Sequence, residues 1–171
     1  MSKPPYRSAT GFTLFELLIV IVIAGILALI AAPGWLTFMN SRRANAGRDQ
    51  VLQLLRQAQS QAIRSRRSQV VTFETPENEL PLVTISGIAQ KIDGQVVGAT
   101  PKNFGLEVVD DDPACPGDAG CVIFNDRGNV SKAGTVINIT SPAGEGAKRC
   151  VIVETLLGAM RSTSGDDCKA S

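Results

Sequence analysis

Residues Thr10 to Leu36 read T-G-F-T-L-F-E-L-L-I-V-I-V-I-A-G-I-L-A-L-I-A-A-P-G-W-L. From Leu17 to Leu36, twenty residues carry no charged or strongly polar side chain. At 1.5 Å per residue a helix of that length spans roughly the 30 Å hydrocarbon layer of a bilayer. The apolar residues run all the way round the helix, so the segment belongs in lipid or among similar helices. Lys3 and Arg7 precede it as in a secretory signal peptide, but the run is too long and no small-x-small cleavage site ends it. Pro33-Gly34 interrupts the run. Proline removes a backbone hydrogen bond and crowds the preceding turn, so the helix either kinks at Pro33 or ends at Ala32.

Glu16 stands at the head of this run. A carboxylate deep in a bilayer costs on the order of 2.5 to 3.5 kcal/mol on insertion scales, so such a group usually has a partner. Either Glu16 lies near enough to the membrane surface to stay hydrated, or a positive charge meets it.

Beyond Leu36, Ala44, Gly47, Val51, Leu55, Ala58 and Ala62 recur at spacings of three and four, flanked by Leu54 and Ile63. That period predicts a helix continuing to Ser68 with one apolar face. After Arg67 the period changes to two. Gln69–Glu74, Leu80–Ile85, Phe104–Val109, Cys121–Asn125, Thr135–Thr140 and Cys150–Leu156 are rich in Val, Ile and Thr and are separated by Gly, Pro, Asn and Asp. They predict antiparallel strands, with a hairpin turn at Asn125-Asp126-Arg127-Gly128. The fold class expected is α+β: a long N-terminal helix, its first half transmembrane and its second amphipathic, packed on a C-terminal antiparallel sheet body.

The net charge of +1 hides an asymmetry. Residues 41–68 hold seven arginines against Asp49, giving +6, whereas residues 69–171 hold eight basic and fourteen acidic residues, giving −6. An acidic body weighs against wholesale attraction to nucleic acid. The arginines lie mostly off the apolar stripe and read as a solvated face, or as a contact for anionic lipid or acidic neighbours. Arg42 and Arg43 with the five arginines beyond them outnumber Lys3 and Arg7 and would, by charge counting alone, keep the body on the cytoplasmic side. The cysteines point the other way. Cys115, Cys121, Cys150 and Cys168 form an even set with no C-x-x-C, and the chain has no histidine, so disulfides fit better than zinc. Three connectivities are open. Short loops close most readily, which favours Cys115–Cys121 and Cys150–Cys168 and an oxidising compartment.

G-F-T-L-F-E followed by an unbroken apolar span resembles the processing site of type IV pilins and type II secretion pseudopilins. The resemblance implies a leader of residues 1–11, cut by a prepilin peptidase between Gly11 and Phe12, and N-methylation of Phe12. It also implies that Glu16 serves assembly by pairing with a neighbour's N-terminal amine. Phe15 departs from the commoner isoleucine or valine. Residues 12–39 would then be the transmembrane and filament-core helix, 40–68 its amphipathic continuation and 69–171 a periplasmic head. The implied partners are other pilins or pseudopilins, the peptidase and the bacterial inner membrane. A simple membrane anchor that never polymerises would need neither cleavage nor Glu16.

The C-V-I-F-x-x-x-G turn and the terminal C-V-I-V-E-T-L-L-G-A-M-R resemble the GspH/FimT group of minor pilins and pseudopilins. DNA-binding members of the FimT branch carry glycine-arginine-x-arginine here. Gly158 and Arg161 match, but Ala159 holds the first arginine's place, so DNA binding would need Lys148, Arg149 and Lys169 to converge on Arg161. No catalytic motif, cofactor loop or metal-ligand spacing stands out: S-P-A-G-E-G-A-K lacks the phosphate-loop ending, and Asp110-Asp111-Asp112 with Asp118 reads as a solvated acidic turn. The expectation is a non-enzymatic subunit without cofactor or metal.

Overall fold

The structure, a computed structural model, describes residues 11–93, 100–116, 119–144 and 146–169, so residues 1–10 of the expected leader and Asp118 lie outside it. The chain divides into two compact units, Met1–Leu36 and Thr37–Ser171, and one helix, α1 (Leu14–Ser65), contributes to both.

In the first unit the helical period leaves apolar side chains on every side. Phe12, Leu14, Phe15 and the Leu, Ile and Val residues from 17 to 30 are exposed. No single helix among the described residues is long and apolar enough by itself to cross a membrane, whereas Leu14–Ile30 and Gly34–Ser65 taken together meet the length and composition.

In the second unit α1 packs on two four-stranded antiparallel sheets. The strands are β1 (Gln69–Glu74), β2 (Leu82–Ile85), β3 (Ile88–Lys91), β4 (Gly105–Val109), β5 (Gly120–Phe124), β6 (Thr135–Ser141), β7 (Ala147–Val153) and β8 (Met160–Ser164). One sheet runs β3-β2-β1-β5 and the other β4-β6-β7-β8. The α+β class is as expected, but the body holds two sheets. Which strands pair depends on contacts between distant segments: β5 joins β1, while β4 joins β6.

Strand alternation sorts the side chains. Val71, Phe73, Val83, Ile85, Val122 and Phe124 of the first sheet meet Leu106, Ile137, Ile139, Val151 and Val153 of the second in one core with Val51, Leu54, Leu55, Ala58 and Ala62 of α1. Val136, Cys150 and Ile152 form a separate cluster with Cys168 on the opposite face of the second sheet. At roughly 25 cal/mol per Å² of apolar surface removed from water, the larger cluster is the main source of cohesion. Ile63, which flanks the helical stripe, remains exposed.

Two strands escape a search for β-branched alternation. β3 reads I-A-Q-K and is largely exposed, so no buried face marks it. Its signal is the turn before it: Ser86 (φ 53°) and Gly87 (φ 80°) both take the left-handed backbone that joins a two-residue hairpin, and Ile85 pairs with Ile88. β8 reads M-R-S-T-S and is held by its ladder to β7. The expected turn at Asn125–Gly128 is present: the Gly128 N–H donates to the Asn125 carbonyl, and the Asn125 carboxamide oxygen accepts from the Arg127 and Asn129 N–H groups.

Gly47 fixes how closely α1 approaches the body. A Cβ there would lie 1.9 Å from Cζ of Phe104, whose ring fills the space a side chain would need. Gly47→Leu should therefore lower stability even though leucine is the better helix former. Overpacking costs about 1–3 kcal/mol, against a gain of about 0.8–1 kcal/mol in helix propensity. Thermal unfolding of the full chain in detergent micelles checks this, and an unchanged or higher midpoint would mean that the Phe104 ring swings aside.

Candidate functional site

Gly11 to Thr13 lie outside the helix. The Thr13 hydroxyl accepts the Glu16 backbone N–H at 3.2 Å, and the Thr13 carbonyl accepts the Leu17 N–H at 3.2 Å. Thr13 is thus the N-cap and Glu16 the third helical residue. T-L-F-E is a capping-box sequence, a local signal that lies within the apolar motif. A carboxylate in the first turn also faces the positive end of the helix dipole. The dipole gives an acid at this position a role in helix stability. The capping bond uses only the backbone N–H, and among the described residues the carboxylate itself has no ion-pair partner.

The bond between Gly11 and Phe12 lies in non-helical, exposed chain. Among the described residues nothing approaches within 4 Å of a Cβ built on Gly11. The fold therefore places no steric demand for glycine there. Pro33 lies within α1 and has no amide hydrogen to give the carbonyl four residues earlier.

The four cysteines form the expected disulfides, Cys115–Cys121 and Cys150–Cys168. The second ties the C-terminal turn Gly165–Asp167 to β7 and helps cover Val136 and Ile152. The first closes the loop that enters β5. In that loop the solvated acidic turn needs correction, because Asp112 is only 5% exposed. One of its carboxylate oxygens accepts the Ala114 N–H at 2.9 Å, and the other accepts the Ser131 hydroxyl. Lys132 donates to the Asp111 carbonyl at 2.8 Å. The aspartates fasten the loop to residues 131 and 132, a role set by a segment about twenty residues away. Among the described residues no group of Cys, Asp and Glu could hold a metal ion.

Of the basic residues considered for DNA, Arg149 does not share a face with Lys148 and Arg161. Arg149 shares the alternation of Val151 and Val153, facing α1, and donates to the Asn45 side chain at 2.8 Å. Arg161 stands opposite Ile152 on the other face and is ion-paired with Glu154. Lys148 shares the face of Arg161 but lies four ladder positions away, roughly 13 Å at strand spacing. Gly158 has a conformational role: its φ is 78°, and it packs beneath Gln59, whose amide donates to the Gly128 and Gly158 carbonyls at 2.9 and 3.1 Å.

One feature of the outer face of the second sheet had no sequence signal. A cavity of about 290 Å³ is lined by Gly105, Leu106, Glu107, Asn138, Thr140 and Gly144. Glu107 and Asn138 are ladder partners and so lie side by side. Asn138 is 4% exposed and its carboxamide oxygen has no donor. An unsatisfied buried acceptor costs about 1–3 kcal/mol. A strand alternating Thr-Val-Ile-Asn-Ile-Thr looks like core, and only the packing shows one polar member left over a hollow.

Comparison with known families gives two matches. Residues 6–32 match the prokaryotic N-terminal methylation motif, and residues 48–157 match the family described as type II transport protein GspH. Searches of curated proteins and of solved structures find no match.

Proposed function

The chain belongs to the GspH family and carries an N-terminal methylation motif, and from that premise we propose that it is a minor pilin or pseudopilin subunit of a type IV pilus or type II secretion pseudopilus. The single observation that carries this reading is the order of its parts: a glycine-phenylalanine junction outside the helix, an acid in the first helical turn, an apolar helix, and a family-matched head. On this reading residues 1–11 are a leader removed by a prepilin peptidase between Gly11 and Phe12, and Phe12 becomes the N-methylated first residue. Residues 12–39 anchor the protein in the inner membrane and later lie in the filament core, with a loosened turn at Pro33. Residues 40–68 carry the head, 69–171, into the periplasm, where the disulfides form. The subunit is non-catalytic and its partners are other pilin-like proteins.

Exposed apolar side chains throughout the first helical unit support this, since such a surface needs lipid or a bundle of similar helices around it. The experiment is mass spectrometry of the N-terminus of the protein taken from its native membrane. A mature chain starting at methylated Phe12 is expected. A chain retaining residues 1–11 would favour a plain membrane anchor. The alternative of a DNA receptor on the pilus draws little support from the ion-paired Arg161 and the inward-turned Arg149.

A further inference from the structure

The geometry points to the Glu107 cavity as a receptor for a guanidinium group, presented by an arginine of a second copy of this chain. The cavity holds about 290 Å³, room for one extended side chain with its head group. Glu107, the one charged group among its described lining residues, suits a cationic partner. It is exposed, and among the described residues its carboxylate has no ion pair. Thr140 already accepts the Gly144 N–H at 3.0 Å. No lysine or arginine is among the described lining residues. Lys148, one strand beyond on the same face, pairs with Thr140 in the ladder and makes no salt bridge to Glu107.

An anionic ligand would face Glu107, and a neutral one would leave its charge unmatched. A guanidinium has five N–H donors in a planar fork. Two of them can bind the carboxylate side by side.

The chain itself supplies the complement. Arg64, Arg66 and Arg67, at and just beyond the end of α1, are exposed and make no ion pair among the described residues. They belong to a segment of charge +6 beside a body of −6. Within one molecule they cannot reach Glu107, because α1 packs against the inner face of the second sheet and Glu107 stands on the outer face with Asn138. Two copies satisfy both. This goes beyond the filament reading and is tested without a filament.

The probe is agmatine, an alkylguanidine, titrated by calorimetry into the full chain in detergent micelles. Sedimentation then measures self-association of the same preparation. Saturable agmatine binding is expected, weakened roughly 10- to 100-fold in Glu107→Gln with an unchanged unfolding midpoint. Agmatine should also weaken self-association, as should replacing Arg64, Arg66 and Arg67 by glutamine. Absence of agmatine binding, or equal binding by Glu107→Gln, overturns the site. Binding that leaves self-association untouched overturns the second copy as its source. Failure of N-terminal processing would bear on neither result.

Discussion

Glu16→Gln is expected to reach the membrane and fold normally while its incorporation into filaments falls by more than a hundredfold. Glutamine keeps the helix start intact, because the capping box accepts Glu or Gln at its third position and the Thr13 hydroxyl still receives the backbone N–H. The substitution therefore removes charge and little else. In an assembled bundle of apolar helices, the amine of a neighbour's Phe12 would be left without its counter-ion. Breaking one partner out of a buried pair costs roughly 3–5 kcal/mol, and each 1.4 kcal/mol is about a factor of ten. Immunoblots of sheared filaments and of membranes, compared with wild type, measure both quantities. Thr13→Ala supplies the control: it weakens the cap by about 0.5–2 kcal/mol and leaves the charge in place, so it should assemble far better than Glu16→Gln. If the glutamine variant entered filaments at the wild-type level, hydration and helix capping would suffice to explain the acid.

The second large effect is on stability. Replacing both Cys150 and Cys168 by alanine should cost about 3 kcal/mol, since the chain-entropy estimate for a loop closed over this separation of 18 residues is of that size. Removing the Cys115–Cys121 link, with a separation of 6, should cost less, about 2 kcal/mol. The longer link also holds the C-terminal turn over Val136 and Ile152 on a face that α1 does not cover. Its loss should lower the thermal midpoint by roughly 10 °C for a unit of this size and raise hydrogen exchange first in β8 and the residues after it. Equal midpoints for the two double variants would show that loop length is not what governs their contributions.

Much of this was legible in the residues. The apolar run, the stripe from Ala44 to Ala62 and most strands follow from period alone, because a side chain's environment repeats with the geometry of its own backbone. The disulfide pairs followed from loop closure, since short separations leave little choice of partner. The N-terminal motif holding Gly11, Phe12 and Glu16 is contiguous, and a contiguous motif can be read directly from the sequence.

Contacts between distant segments could not be read in the same way. Alternation tells which side chains share a face, but carries no term for which strand lies alongside, so the division of the body into β3-β2-β1-β5 and β4-β6-β7-β8 emerged only with the fold. The same limit hid the burial of Asp112 beneath Ser131, the turning of Arg149 toward Asn45 and the orphaned oxygen of Asn138 beside Glu107. The sequence by itself determined most of the elements, the apolar helix and the N-terminal motif, because each rests on neighbours along the chain. The tertiary structure alone decided which charges are satisfied and which face outward, because a polar side chain's partner is chosen by distance in space.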